Sequence, residues 1–379
     1  MALRDLETPT LVLDRQTLEQ NTARMTRRFA GTGVRLRPHM KTSKSIQVAR
    51  LALAGNFGGI TVSTLKEAEY FAEHGITDIT YAVSIMPDKL GRVIALKRRG
   101  VRISIITDQV AIAEQVSSIA ASEGVVLDTF IELDSGERRA GVLADSDELG
   151  VLGLALEELP GTQLEGVLTH AGHSYQGRSL SQIQAIAESE RLCATTAADR
   201  LRSIGLVVPV VSVGSTPTAT HGLSYEGVNE VRCGVYMFGD VFQSEINSCR
   251  PEDIALSVLA TVIGHRRDLD TALIDAGALA LSKDRSTGAA GLPEDVGYGL
   301  VLDATGTRRI DGVQVGHVYQ EHGMLVSETP FPFEMLPVGS RVRILPNHAC
   351  MTAAMHPGYH VVDGADDTAM RDWPRINGW

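Results

Sequence analysis

Short runs of aliphatic and β-branched residues alternate with longer helical patterns between about residues 31 and 239. Between these runs, apolar residues recur at three- and four-residue spacing, which is typical of helices, over residues 64–74, 88–99, 109–122 and 180–204. The runs predict strands at residues 34–37, 59–62, 78–82, 101–106, 127–133, 164–170, 209–213 and 229–233. Eight such β/α units favour a closed parallel (β/α)8 barrel, with an open, doubly wound sheet as the alternative.

The pattern changes after about residue 243, where long helical segments give way to short strand-like runs separated by turn residues. These runs predict strands at residues 255–262, 271–275, 312–317, 341–345 and 359–362. An earlier strand, at residues 8–13, precedes the first helix and could pair with them. The fold class predicted is therefore α/β: a barrel at residues 15–243 and a predominantly β domain at 244–379, joined by the N-terminal segment 1–14.

The composition is that of an ordinary globular protein, with 379 residues, 44% of them hydrophobic and 21% charged. A formal net charge of −11 without a basic run argues against nucleic acid as a partner. No apolar run is long enough for a transmembrane helix, and no secretory signal is evident, so a cytoplasmic location is expected and no membrane partner. The four cysteines are widely spaced and are expected as free thiols or metal ligands.

The segment RPHMKTSK, residues 37–44, directly follows the first predicted barrel strand. In a (β/α)8 barrel the carboxyl ends of the strands face the active site. Lys41 is therefore well placed for Schiff-base chemistry, since a buried or cation-flanked amine loses its proton more easily. The alternative is a surface lysine that opens a helix.

The segment VGSTPT, residues 213–218, follows the seventh predicted barrel strand, and CGVY, residues 233–236, follows the eighth. Barrels often bind a phosphate at these two loops, where backbone N–H groups, hydroxyls and a helix N-terminus converge. An ordinary capped turn would also account for the string. The candidate phosphate-binding residues are Gly214, Ser215, Thr216, Gly234 and Tyr236.

The segment PNHAC, residues 346–350, places His348 and Cys350 two positions apart. Side chains at i and i+2 of a strand project from the same face, so a strand here would present imidazole and thiolate together. Both groups suit Zn²⁺, and a site with two protein ligands leaves positions for water and substrate. A core cysteine beside a hydrogen-bonded histidine is the plainer interpretation.

Three smaller signals follow other predicted strands. Arg139, within DSGERRAG at residues 134–141, could pair with a cofactor oxygen or only bridge a surface carboxylate. His170 and His173, in HAGH, face the same mouth of the barrel and are candidate proton shuttles or loop hydrogen bonders. The polar cluster QEHG at 320–323 could be catalytic or simply a turn.

The segments RPHMKTSK, ERRAGV, HAGHSY, VGSTPT, RCGVYMFGD, QEHG and LPNHAC occur in the order seen in one family. The chain resembles the D-threonine aldolase and D-serine dehydratase family of fold-type III pyridoxal-phosphate enzymes over nearly its whole length. The resemblance implies an alanine-racemase-like barrel, a C-terminal β domain and a homodimer with active sites near the subunit interface. It also implies that Lys41 carries pyridoxal 5′-phosphate, that Arg139 contacts it and that His348 and Cys350 bind a divalent metal such as Zn, Mn or Co.

Within this family, aldolases resemble His-x-Asp at the metal pair, whereas dehydratases resemble His-x-Cys. Cys350 therefore favours a dehydratase that converts a D-β-hydroxy amino acid, of the D-threo-3-hydroxyaspartate or D-serine type, to a keto acid and ammonia. His170 stands where aldolases tend to carry a tyrosine, so the contact to the pyridine nitrogen stays open. The alternatives are retro-aldol cleavage to glycine and an aldehyde, an amino-acid racemase, and a non-enzymatic cofactor carrier.

Overall fold

A computed structural model describes residues 2–289, 291–364 and 371–379. The chain divides into two compact units. The barrel unit contains Met25–Lys41, Ala52–Gly234 and Gly378–Trp379, and the β unit contains Met1–Arg24, Thr42–Leu51 and Val235–Asn377. The domain limits suggested by the sequence, 15–243 and 244–379, stay a prediction.

The chain enters through strand β1, Thr10–Asp14, and helix α1, Arg15–Phe29, and then forms the eight parallel strands of the barrel. These strands are β2 Arg35–Pro38, β3 Ile60–Val62, β4 Asp78–Ser84, β5 Arg102–Thr107, β6 Leu127–Leu133, β7 Thr162–Thr169, β8 Val210–Val213 and β9 Glu230–Cys233. They lie in the order β2-β9-β8-β7-β6-β5-β4-β3. The backbone N–H of Met40 donates to the Thr61 carbonyl at 2.8 Å, and His39 bridges Thr61 in parallel, which joins the two edges. The closed barrel is confirmed, and the open sheet is excluded.

Helices connect the strands wherever apolar residues recur at helical spacing. The remaining helices are α2 Ile46–Leu53, α3 Leu65–Glu73, α4 Leu90–Arg98, α5 Val110–Ser122, α6 Asp147–Glu158, α7 Leu180–Ser203, α8 Thr216–His221, α9 Val241–Glu245, α10 Ala278–Leu281 and α11 Ala349–Ala353. Thr64 caps α3 by accepting the Glu67 N–H, and Ser179 caps α7 in the same way. No helix in the described ranges combines the length and the apolarity needed to cross a membrane.

The barrel strands are buried along most of their length, as in parallel sheets covered by helices. The side chain of Arg37 lies 2.7 Å from Glu230 and 2.8 Å from Asp78, which are the first residues of β9 and β4, in an ion-pair network at the N-terminal ends of those strands. Ser212 also donates to Glu230, so these charges are compensated within the barrel. Because this end lies opposite the strand ends that usually carry catalysis, we interpret the network as structural.

The β unit is built on a nine-stranded sheet that includes β1. Its other strands are β10 Leu256–Arg266, β11 Thr271–Ile274, β12 Gly299–Asp303, β13 Arg309–Val318, β14 Gly323–Ser327, β15 Arg341–Pro346, β16 Gly358–Val362 and β17 Arg371–Pro374. Strand β10 pairs with both β15 and β11, which closes the order β11-β14-β13-β12-β15-β10 into a ring. Strand β1 runs antiparallel to β10 and parallel to β16. The C-terminal part is therefore predominantly β, with three strands (β12, β14 and β17) beyond those predicted.

Candidate active site

Lys41 lies three residues beyond the end of β2, at the C-terminal end of the barrel. Its side chain is exposed, so the burial expected for a reactive amine is not seen. Its positive charge is nonetheless close enough to lower the pKa of His39 and of His170. Arg139 and Arg232 add further positive charge around His170. Lys41 is thus an exposed amine on the rim of the barrel, close to His39 and His170.

His170 directly follows β7, and its Nδ1 lies 2.9 Å from the carbonyl oxygen of Gly214 in the next loop. Burial, followed by the charge of Lys41, lowers the pKa of His170 to about 3. The ring is therefore neutral near pH 7, and Nδ1 must carry the proton that it donates to Gly214. This leaves Nε2 as an acceptor, which favours a contact role for His170 over the proton-shuttle role.

His173 lies in a short 3-10 helix, Gly172–Gln176, and its ring packs against the loop after β6. A Cβ atom at Gly136 would lie 3.4 Å from this imidazole. Among the residues the structure describes, the buried Nδ1 atom of His173 meets no hydrogen-bond partner. An unsatisfied buried nitrogen at the mouth of a barrel is suited to contact a bound molecule.

Arg139 lies in the loop after β6 between two carboxylates. Its Nη1 is 3.4 Å from Glu137 and its Nη2 is 4.0 Å from Glu132, while more than half of the side chain is exposed. Burial raises the pKa of Glu132, and the nearby Ser84 hydroxyl and Arg139 oppose that rise. The guanidinium is therefore held on the rim but keeps donors that face solvent.

The loop after β8 is a tightly bonded turn into α8. Ser215 Oγ accepts the Thr218 N–H at 3.2 Å, and Thr218 Oγ1 accepts the Ser215 N–H at 3.0 Å. Ser215 Oγ also lies 2.8 Å from Ser174 Oγ of the preceding loop. The structure thus joins two of the predicted loops through buried hydroxyls.

Packing alone requires a glycine at position 214. Its φ is +133°, and a Cβ atom there would lie 2.3 Å from the carbonyl oxygen of Arg232. Its N–H is already donated to Glu190 at 2.9 Å, so Gly214 does not offer that hydrogen to a phosphate. Thr216 and Gly234 are both buried beside it, at the start of α8 and at the end of β9.

The sequence analysis did not identify two buried charged residues of this region. Glu190 of α7 accepts the N–H groups of Ala171 and Gly214 at 2.8 and 2.9 Å. Arg232 of β9 donates to Ser212 Oγ and to the carbonyl of Thr169. Arg232 is the first residue of the segment RCGVYMFGD, which was a usable signal, whereas nothing local marks Glu190 within a long helix.

The other predicted site residues belong to the β unit. Tyr236 is buried in a 3-10 helix, Val235–Met237, that directly follows the barrel unit along the chain. In the QEHG segment, residues 320–322 form the exposed turn between β13 and β14 and Gly323 begins β14, which agrees with the plainer of its two interpretations.

The His-x-Cys pair does not lie in a strand, so that part of the prediction is wrong. Strand β15 ends at Pro346, His348 is the N-cap of α11, and Cys350 lies in its first turn. The two side chains still meet, because the helical turn brings the thiol to the imidazole, and a hydrogen bond joins them. The pairing predicted from spacing holds, although a different backbone conformation produces it.

Neighbouring segments fix this pair from several sides. His348 Nδ1 lies 2.6 Å from Asp284 Oδ2, and the N–H of Ala349 donates to Asp240 Oδ2 at 2.9 Å. Burial lowers the pKa of His348, but the hydrogen bonds to Asp284 and Cys350 outweigh it and raise the pKa to about 11. Since Asp284 occupies Nδ1, a metal would bind at Nε2, where it would displace the proton that these contacts hold on the ring.

The donor set of the pair fits a divalent metal. An imidazole and a thiolate side by side are ligands that Zn²⁺ and related ions favour. Within the described ranges, no group of three or more His, Cys, Asp and Glu side chains forms a metal-binding cluster. A metal on His348 and Cys350 would therefore keep open positions, as catalytic sites do.

Comparison with known proteins shows two family domains. The model of the alanine racemase N-terminal domain matches residues 13–241, and that of the serine dehydratase domain matches residues 255–362. The chain is 46% identical to D-threo-3-hydroxyaspartate dehydratase of Delftia sp. strain HT23, covering 100% of this chain and 99% of that protein. It is 32% identical to D-serine dehydratase of Dictyostelium discoideum, covering 95% and 94%.

Solved structures agree with these matches. The Delftia D-threo-3-hydroxyaspartate dehydratase superimposes with a TM-score of 0.95 at 45% identity, covering 100% of both chains. D-threonine aldolase from Filomicrobium marinum gives a TM-score of 0.84 at 26% identity, covering 99% of this chain and 96% of that one. Alanine racemase of Clostridium difficile, at 15% identity and a TM-score of 0.70, shares the fold. The chain therefore belongs to the D-threonine aldolase and D-serine dehydratase family, a family of lyases built on the alanine racemase N-terminal domain.

Proposed function

We propose that this chain is a dehydratase that uses pyridoxal 5′-phosphate and a divalent metal to act on a small D-β-hydroxy amino acid. The products are a 2-keto acid and ammonia. The observation that carries the proposal is the pairing of the His348 imidazole with the Cys350 sulfur at the start of α11. A D-threo-3-hydroxyaspartate dehydratase with a cysteine-to-alanine substitution has been solved in a metal-free form, which supports a metal role for such a cysteine.

The rim of the barrel fits an anionic aldehyde cofactor. Lys41 would hold the cofactor covalently through its amine, and the hydroxyls of Ser215 and Thr216 lie in the loop proposed to bind its phosphate. The unsatisfied Nδ1 atom of His173 and the neutral ring of His170 offer further contacts. Arg139 would pair with the phenolic oxygen. Once bound, pyridoxal phosphate supplies an electron sink that lowers the cost of charge at the substrate α-carbon.

Residues of the chain itself would have separate roles in the reaction. The amine of Lys41 would act as the base that takes the α-proton of the substrate. His170 stays neutral, because burial and the charge of Lys41 hold its pKa near 3, so near pH 7 it can accept a hydrogen bond at Nε2 but does not exchange a proton. His348 and Cys350 would hold the metal, which supplies Lewis-acid stabilisation for the departing β-oxygen.

For the substrate, we propose D-threo-3-hydroxyaspartate or a D-serine-like molecule. The support is a relative of the first activity at 46% identity and one of the second at 32%, both matched along nearly their whole lengths. Among the candidate metals, zinc suits an imidazole and a cysteine sulfur well, whereas manganese favours oxygen ligands.

Retro-aldol cleavage is the second candidate. A D-threonine aldolase from Arthrobacter sp. is 29% identical over 95% of this chain, so the scaffold alone serves both reactions. Product identity separates the two: a keto acid with ammonia from a dehydratase, and glycine with an aldehyde from an aldolase.

The decisive experiment is a panel of D-β-hydroxy amino acids, assayed for ammonia and glycine with and without a chelator. We expect ammonia, and we expect chelation or Cys350→Ala to suppress it while the cofactor stays bound. Full elimination after chelation would overturn the metal role, and glycine as the main product would overturn the dehydratase.

The cofactor link has its own test. Borohydride reduction of the purified protein is expected to fix the cofactor on Lys41, which peptide mass mapping would detect. Lys41→Ala is expected to lose both the visible absorbance of the bound cofactor and turnover. A colourless wild-type protein that stays unmodified after soaking with pyridoxal phosphate would overturn this assignment.

A further inference from the structure

The residue after the proposed cofactor lysine contacts the proposed metal ligand. Thr42 is fully buried, and its Oγ1 atom lies 3.2 Å from Cys350 Sγ, although 308 positions separate the two residues. Thr42 and Cys350 both belong to the β unit. The RPHMKTSK motif, which drew attention only through Lys41, thus supplies a second functional contact.

Metal chemistry decides which atom donates in this contact. In the free protein either the hydroxyl or the thiol could donate. A cysteine that binds a metal does so as a thiolate and has no proton to give. In the metal-bound site, Thr42 must therefore donate and Cys350 must accept.

The position of the Thr42 hydroxyl is fixed by its main chain. Arg375 donates to the Thr42 carbonyl at 3.3 Å, and the Tyr359 hydroxyl donates to the Ser43 carbonyl at 2.6 Å. The N–H of Ile376 donates to the Lys44 carbonyl at 2.9 Å. Three consecutive carbonyls are thus held by the C-terminal part of the β unit, and the hydroxyl is presented to the sulfur without a flexible link.

We propose that Thr42 is a positioning residue of the metal site: its hydroxyl donates a hydrogen bond to the Cys350 thiolate, orients the sulfur and makes the bound metal a stronger Lewis acid. Partners of this kind orient metal ligands and tune the metal. A hydrogen bond to sulfur draws charge away from it, so the sulfur gives less charge to the metal. This inference rests on the metal role in the proposed function.

One consequence concerns the order of residues along the chain. The dipeptide of residues 41 and 42 would hold the cofactor through its first side chain and the metal's sulfur through its second. Thr42 would therefore have a role in the metal site in addition to its packing next to Lys41.

The test uses two substitutions at position 42 in the full-length, cofactor-loaded protein. Thr42→Val keeps the shape of the side chain but removes the hydroxyl, and Thr42→Ser keeps the hydroxyl. Co²⁺ is the probe, because its charge-transfer band from sulfur reports directly on the thiolate, and its Kd is measured by competition with a chelator.

We expect Thr42→Val to raise the Kd for Co²⁺ about 10- to 100-fold, because the sulfur loses the hydrogen bond that orients it and favours the thiolate over the thiol, and to shift the charge-transfer band. Thr42→Ser is expected to restore both properties to near the wild-type values. The visible absorbance of the bound cofactor, recorded for each variant, reports whether the protein remains folded and loaded.

Two results would overturn the inference. The first is a Thr42→Val protein with the Kd and band of the wild type. The second is a Thr42→Ser protein as impaired as Thr42→Val, since the hydroxyl would then not be the cause. If the wild type bound no Co²⁺ at all, the metal role in the proposed function would fall together with this inference. If the wild type bound Co²⁺ but catalysed elimination at full rate without metal, only the catalytic role of the metal in the proposed function would be overturned.

Discussion

At the scale of single residues, His170 shows how burial and a nearby charge define a chemical role. The ring is neutral near pH 7, because the folded protein disfavours its protonated form. Its Nδ1 hydrogen bond to the Gly214 carbonyl then fixes which nitrogen accepts. The free energy of unfolding should therefore change with pH in a way that depends on this histidine.

We predict that His170→Gln flattens the loss of stability at acid pH. The pKa of His170 is about 3 in the folded protein and near its ordinary value of 6.5 when unfolded. Between these values the unfolded chain binds more protons, so stability falls as the pH drops from about 6.5 towards 3. Urea unfolding at pH 6.5 and at pH 5 measures this effect. Between these pH values, the free energy of unfolding should fall by up to about 2 kcal/mol more for the wild type than for His170→Gln.

His317, which is exposed on β13, provides the matched control. A His317→Gln protein should keep the wild-type pH dependence. Equal slopes for the wild type and His170→Gln would contradict the assignment of His170 as a buried neutral ring.

Asp284 is the second residue whose role follows from one contact. It accepts from His348 Nδ1 at 2.6 Å and is itself held by the Ser286 hydroxyl. A carboxylate on the outer nitrogen of a ligating histidine fixes its orientation and increases its basicity.

Asp284→Asn should weaken metal binding about 10- to 100-fold, because the amide keeps an acceptor oxygen but loses the charge. Metal content after dialysis against a graded series of chelator concentrations measures this loss. Asp295→Asn is the control, because Asp295 pairs with Arg285 on the surface. If the two variants retained metal equally well, Asp284 would have no part in holding the ligand.

At the scale of elements, helix α7 organises two loops of the barrel mouth. The Glu190 carboxylate accepts the N–H of Ala171 after β7 and that of Gly214 after β8. Burial raises the pKa of Glu190, while its hydrogen bonds to Thr218 and to these two N–H groups lower it. The relative position of the His170 loop and the GSTPT loop therefore depends on a side chain outside both.

Glu190→Ala is predicted to destabilise the protein by about 2–5 kcal/mol, since it leaves two buried N–H groups without an acceptor. Denaturant unfolding of the purified protein measures this change. Glu188→Ala provides the comparison on the same helix, because Glu188 is exposed and pairs only with Arg191 among the contacts observed here. Similar losses in the two variants would show that the buried contacts add nothing beyond helix propensity.

At the scale of the whole molecule, the C-terminal rim of the barrel exposes apolar side chains beside charged ones. Met86 follows β4 and is 49% exposed, and Leu143 follows β6 and is 55% exposed. Isolated exposed apolar side chains are common on protein surfaces, so these two do not by themselves identify an interface. The family resemblance implies a homodimer, and we predict that its interface includes this rim.

Sedimentation of the wild-type protein should give twice the mass of one chain. Met86→Glu and Leu143→Glu should shift the equilibrium between monomer and dimer towards monomer, because each substitution would place an unpaired carboxylate in the interface. Val207 is 70% exposed just before β8, at the opposite end of the barrel, so Val207→Glu should leave the dimer intact. A wild-type monomer would contradict the proposal.

The local parts of this architecture could be read from the sequence. All eight barrel strands were predicted to within a few residues, and β6 matches at both ends, because buried parallel strands are short, continuous apolar runs. Strands β12, β14 and β17 were missed. Strands β12 and β14 have five residues each, and the partners of each include a strand that is distant in sequence, β15 for β12 and β11 for β14.

The sequence by itself determined the order of strands and helices, and thereby the placing of Lys41, His170 and Gly214 at strand ends. These features depend on residues that are close together along the chain. Only the tertiary structure decided that Cys350 meets Thr42, that Glu190 joins two loops, and that a helical turn rather than a strand pairs His348 with Cys350. Contacts between distant segments depend on how the backbone packs, and a local pattern of residue types carries no record of that packing.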